Sequence, residues 1–317
     1  MIVKVLLYLG ARFTPCIHPT AVFPNGSVRV VCPDGTSSSL STTTITTSGT
    51  TVQLCTLSDI CHSPQGQTPN QWWRLIVPIF LHAGLIHLIA NLLFQIRTGF
   101  ELEKEGGSWR VGSVYMIAGI YGFLLGGNFA GPSGGVVSVG CSGALFGRVF
   151  FLSRFCFILK FSFSWSMFVR MTLELTLFFF SIVPSITGLL AWLLIDIIAH
   201  YSLIVNPLRE LVKLILLIVI SLLFGLLPFI DNFSHVGGFL SGIFASLLLM
   251  PTFGDWIRLK RMIARGIGFI GLLILFVVTG VQFAKGGGGC EACQYLNCLP
   301  VSGGWGCDAK IGSVTTQ

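Results

Sequence analysis

Between residues 76 and 283 the chain is a succession of apolar runs near the length that crosses a bilayer, and that pattern rules out most soluble folds. A spanning helix needs about 20 mainly apolar residues. Runs of that order fall at 76–99, 111–129, 211–228, 233–250 and 266–283, with a more interrupted stretch over 173–198. The composition agrees, because 53% of residues are hydrophobic and 10% charged, where soluble domains carry about a quarter charged residues. The pattern predicts an all-α polytopic membrane protein with the lipid bilayer as its solvent. Its net charge of +7 then belongs to membrane edges and not to nucleic-acid binding. The basic stretch from Arg258 to Arg265 follows an apolar run, where cytoplasmic borders collect Lys and Arg.

Against this background the polar residues inside the runs stand out, because polar groups at membrane depth are costly and mark function by default. Ser142 sits in Gly140-Cys141-Ser142-Gly143, among small residues at the edge of an apolar run. Such a run also suits close helix packing with no chemistry at all. His82, His87 and Asn91 share the run at 76–99. His87 and Asn91 are one helical turn apart and so lie on one face. A histidine and an amide placed so can both donate to a developing oxyanion, or simply join helices. Residues 126–138 hold five glycines and no charge, a flexible re-entry before the serine. A serine just inside a helix start gains from the positive end of the macrodipole, which also favours a nearby oxyanion. His235 opens the run at 233–250, with Gly238 and Gly242 on its face. Those glycines let a neighbouring helix approach the histidine closely.

The ends differ from the middle. Residues 1–10 are apolar but only half a span long, and 11–71 are rich in Pro, Gly, Ser and Thr. That composition predicts a loop region without a sizeable core. It carries Cys16, Cys32, Cys55 and Cys61 and a glycosylation sequon at Asn25. Four cysteines there read as disulfides of an oxidising compartment, with three pairings open. His18, His62 and His200 read as loop or interfacial residues. Trp72, Trp73 and Arg74 have the character of an interfacial anchor before the first span. In the tail, Cys290, Cys293, Cys298 and Cys307 supply enough thiolates for a zinc site. The short last gap and the absence of histidine favour disulfides instead, so no metal site is assigned. The resulting division is 1–74, a Cys/Ser/Thr-rich region; 75–250, the membrane core; 251–284, a basic loop and a further helix; and 285–317, a Cys-rich tail.

Taken together, these residues resemble the rhomboid intramembrane serine proteases, and among them the fungal secretory-pathway members. Ser142 matches the family's nucleophile motif and His235 its general base, in a dyad without a carboxylate. His87 and Asn91 match the oxyanion-side pair, Trp73 and Arg74 the Trp-Arg pair of the first loop, and Phe146 the aromatic ring against the base. The resemblance implies a six-helix core with an added C-terminal helix. It implies a serine endopeptidase that cleaves transmembrane segments of single-span proteins and needs no cofactor. Such a protein would be a multi-pass protein of the secretory pathway, in Golgi, endosomal or plasma membrane.

Two departures are visible. The family's first helix is missing or reduced to residues 1–10. The serine-to-histidine spacing, 235 − 142 = 93 residues, also exceeds the roughly 50 needed to finish one helix, cross once and return. The excess coincides with a stretch carrying Arg148, Arg154, Lys160 and Arg170, of which Arg148 and Arg154 make 139–159 a poor span. Residues 148–187 therefore read as an insertion, and 189–199 as the continuation of the serine's helix. An active protease and an inactive relative that binds transmembrane clients are the competing readings. A transporter is disfavoured, since the chain shows no inverted repeat and Glu174 and Asp196 are the only acids of the middle spans.

Overall fold

The computed structural model describes residues 2–20, 23–31, 43–47, 50–82, 85–129, 184–224, 231–251 and 256–286. Its helices are α1 (Ile2–Leu9), α2 (Thr14–Ile17), α3 (Leu57–Cys61), α4 (Leu85–Gly106), α5 (Ser108–Asn128), α6 (Pro184–Ala199), α7 (Pro207–Phe224), α8 (Asn232–Leu249) and α9 (Arg258–Ala284). α5, α8 and α9 are each long and apolar enough to cross a membrane, and α6 contributes a shorter apolar helix.

α8 is the centre of the bundle, in contact with α5, α6 and α9. Its small residues make that possible. A Cβ added at Gly237 would lie 3.1 Å from the Gly122 Cα of α5, and one at Gly242 would lie 2.6 Å from the Gly188 Cα of α6. Helices in lipid lack a hydrophobic drive to associate and rely on such close backbone approach. Below the seam, Val111, Val114, Leu189, Trp192, Ala199, Ala245 and Met250 form the main buried cluster. Polar bonds join α5 to α9. The Tyr121 and Thr279 hydroxyls lie 2.9 Å apart, and Asn128 Nδ2 donates to the Thr279 carbonyl at 3.0 Å. The outer faces of α7 and α9 expose Val212, Ile215, Val219, Ile270, Ile274 and Val278, as a lipid-facing surface does.

The N-terminal region is more ordered than its composition suggests. β1 (Arg29–Val31) and β2 (Thr43–Thr47) each pair antiparallel with β3 (Thr50–Thr56). Threonine is β-branched and suits a half-buried pleated strand, so a run read as low-complexity loop becomes a small sheet. Beside it Leu7, Phe13, Phe23, Leu57 and Ile60 enclose a minor core closed by the Cys16–Cys61 disulfide. Cys55 is disulfide-bonded as well. This knob sits on the bundle at the Asn128 end of α5. Ile17 packs with Tyr121, Leu124 and Phe283, and the His18 ring meets Phe283 edge-on at 4.3 Å.

Helix boundaries depart from the apolar runs in three places. The run at 76–99 begins as two 3-10 turns, Trp72–Leu75 and Val77–Phe80, and α4 starts only at Leu85. Pro78 sits at the start of the second turn, where its missing N–H and fixed φ are tolerated. α4 then runs through the charged 101–106 stretch, which exposes Glu101, Glu103 and Glu105. α9 likewise begins at Arg258, one to two turns before its apolar part.

Candidate active site

His235 occupies the first turn of α8 and is 3% exposed. Helix starts leave backbone N–H groups without partners, and here Asp231 caps them. Its carboxylate accepts from the Ser234 N–H at 3.3 Å and from the Ser234 hydroxyl at 2.5 Å. On the other side the Thr187 hydroxyl of α6 donates to the His235 carbonyl at 3.1 Å. Phe233 stacks on Phe129 at 4.5 Å. The backbone on either side of the imidazole is thus fixed by Asp231 and by α6, while among the described residues its Nδ1 has no hydrogen-bond partner.

The Asp231 carboxylate has a second partner that no local pattern announces. Arg12, fully buried in the loop after α1, forms an ion pair with it across 219 positions of sequence. Burial pulls the Arg12 guanidinium below its ordinary pKa, and the neighbouring carboxylate opposes that pull. Gly126 of α5 forms the floor, since a Cβ there would lie 2.1 Å from Asp231 Oδ2 and 2.2 Å from Ser234 Oγ. The signal for Asp231 was present as an N-cap residue just before an apolar run. Arg12 had no local signal at all.

Arg74 is not an interfacial anchor. It is 1% exposed and donates to the Leu7 and Ala11 carbonyls at 2.9 and 2.8 Å and to Gln71 Oε1 at 2.6 Å. The Leu7 carbonyl of α1, which also accepts from the Gly10 N–H at 3.2 Å, and the Ala11 carbonyl beyond the helix share that donor. Desolvation lowers the Arg74 pKa to about 10. Its guanidinium also lies 4.8 Å over the Trp73 ring, which covers Gly10. His82 lies between the 3-10 turns and α4, with Nδ1 3.3 Å from the Phe80 carbonyl, so it does not share a helix with His87. His87 and Asn91 both fall in the first turns of α4, one turn apart. Gly238 and Gly242 lie on α8 toward α6. Gly140, Ser142 and Phe146, with most of the stretch at 148–187, lie outside the described residues.

The described helices and the buried polar end of α8 define a multi-pass helical membrane protein with a histidine held inside its bundle. The family model for the Rhomboid domain matches residues 69–202 and 183–252. "Rhomboid-type serine protease 2" of Emericella nidulans is 34% identical over 262 residues, 78% of this chain and 41% of that protein. "RHOMBOID-like protein 2" of Arabidopsis thaliana is 32% identical over 255 residues, covering 75% of this chain and 66% of that one. "Inactive rhomboid protein 1" of Homo sapiens is 28% identical over 243 residues, covering 74% and 22%. The chain therefore belongs to the rhomboid family, and it spans between about a fifth and two thirds of the length of these relatives.

Proposed function

We propose that this protein is an intramembrane serine endopeptidase acting through Ser142 and His235. The observation that carries the reading is His235 itself. It is buried, fixed by its backbone on two sides, and keeps a ring nitrogen uncommitted, which is what a general base needs. In this mechanism His235 takes the Ser142 proton as the oxygen attacks a peptide carbonyl of a transmembrane substrate. The Ser142 N–H, in its Gly140-containing turn, and the side chains of His87 and Asn91 stabilise the oxyanion. The protonated imidazole then gives its proton to the leaving amine, and water releases the acyl chain. No metal or organic cofactor enters.

The site is expected to open to the lumen of the secretory pathway. The stretches 97–110, 199–213 and 251–265 hold nine Lys and Arg, whereas 128–138 and 229–232 hold none, a bias that assigns the former to the cytoplasm. The disulfide-bonded knob at the His235 end of the bundle supports that sidedness, because disulfides persist on the lumenal side. Thiol labelling of intact microsomes checks it. Cys290 and Cys293 should resist a membrane-impermeant reagent until the vesicles are opened and their disulfides reduced, and prompt labelling of intact vesicles would reverse the topology.

An inactive, client-binding rhomboid is the second reading, favoured by the similarity to the inactive human relative. The two separate in a cleavage assay on a single-span substrate, with and without residues 148–188. In the form that cleaves, Ser142→Ala and His235→Ala are each expected to lower the rate by roughly 10³-fold or more. Retained cleavage in Ser142→Ala would end the serine mechanism. Tight substrate capture with no cleavage in any form would favour the binding role.

A further inference from the structure

The Arg12–Asp231 pair lies at the root of the helix that presents His235, and nothing in the proposed chemistry uses it. Asp231 is four residues before His235, so the two share a face of α8. Its Oδ2 is shared between Arg12 Nη2 and the Ser234 hydroxyl, and Gly126 leaves no slack on the far side. Arg12 is itself anchored. The Ala11 N–H donates to the Leu6 carbonyl at 2.8 Å, the Ala11 carbonyl accepts from Arg74, and Cys16 of the following turn is tied to Cys61.

As a source of stability the pair is poorly made. Among the described residues Arg12 Nε and Nη1 are buried without partners, and a buried ion pair so desolvated often holds a fold no better than two apolar side chains. What it does provide is direction, since a guanidinium and a carboxylate meet in few orientations. We propose that Arg12 is a positioning residue for His235. By pinning the carboxylate that caps α8, it fixes the first turn of the helix and so the imidazole that follows. The inference rests on the reading of His235 as the general base, and its test does not depend on cleavage.

The test uses the full chain, purified in detergent, and diethyl pyrocarbonate as a probe of imidazole access. Modification of His235 is followed by peptide mass spectrometry, with His200 as the internal reference and thermal unfolding read in parallel. The uncharged pair Arg12→Met with Asp231→Asn keeps a competent cap, because asparagine caps as well as aspartate. It is expected to unfold near the wild-type temperature, yet to expose His235 to modification at least about threefold faster through opening of the first turn. The His200 rate should stay unchanged. Arg12→Lys alone keeps the charge and should return most of the protection. Equal His235 rates in the uncharged pair and the wild type would overturn the proposal. So would loss of folding in the uncharged pair, which would make the ion pair a structural support. If His235 is deprotected as expected while Ser142→Ala still cleaves, the positioning stands and the general-base assignment falls.

Discussion

Removing residues 148–188 is expected to raise cleavage of a single-span substrate by on the order of 10²-fold or more over the full chain, the scale on which catalytic groups respond to misplacement. α6 supplies the template for the serine's helix. It runs in the same direction as α8: Thr187 meets His235 at one end, and Trp192 and Ala199 join Ala245 and Met250 at the other. In the shortened chain Gly147 precedes Leu189 and takes the place of Gly188. That place demands glycine, since a Cβ there would lie 2.3 Å from the Ala118 Cβ. Phe146 then falls in the position of Thr187, beside the His235 backbone, and Ser142 falls one turn before it on the same face. Removing 148–187 instead shifts the register by one residue, about 100° around the helix, and turns Ser142 away. Read from the apolar runs alone the downstream edge is 187, and a deletion carried through 188 is the form expected to keep Ser142 on the Thr187 face. The family model, whose two matches overlap at 183–202, is compatible with an interruption ahead of α6. Side-by-side cleavage assays of the full chain and both shortened forms decide the matter. If the full chain cleaves and the 148–188 deletion fails to insert, the insertion reading is wrong.

The parts of this fold that could be read from the sequence are those governed by local period. Apolar run length announces the bundle, and the small residues at Gly238 and Gly242 announce the face of α8 that a neighbour approaches. Two features resist that kind of reading. The break before α4 follows from a 3-10 turn ahead of the apolar run and a second, proline-started one inside it, which run length does not announce. The threonine strands depend on a partner strand and on the Cys16–Cys61 closure, which composition does not reveal. At the site, His235 and its capping Asp231 lie within one turn and were within reach of pattern. Arg12 and Arg74 find their roles through carbonyls and a carboxylate distant in sequence. A buried cation at the end of a short helix cannot be told from an interfacial one until its partners are placed.

A large stability loss is expected at Gly242. An alanine Cβ there would stand 2.6 Å from the Gly188 Cα and 3.0 Å from the Gly188 carbonyl oxygen. Both are backbone atoms, so no side chain can swing aside and α6 must move as a whole. Overpacking of this kind costs about 1–3 kcal/mol; in the full chain the displacement carries Thr187 away from the His235 carbonyl, and in the 148–188 deletion, where Gly147 takes the place of Gly188, it carries the serine's helix away. Gly242→Ala should therefore lower both the unfolding temperature and, in the form that cleaves, the rate, while leaving substrate binding outside the seam untouched. The control is Gly266→Ala on α9, where a Cβ meets nothing within 4 Å and the helix gains about 1 kcal/mol of propensity. Thermal unfolding of the two variants in one detergent reads the difference directly. Gly242→Ala as stable as Gly266→Ala would mean that α6 does not press on α8 as closely as the seam requires, and the register argument for Ser142 would lose its template.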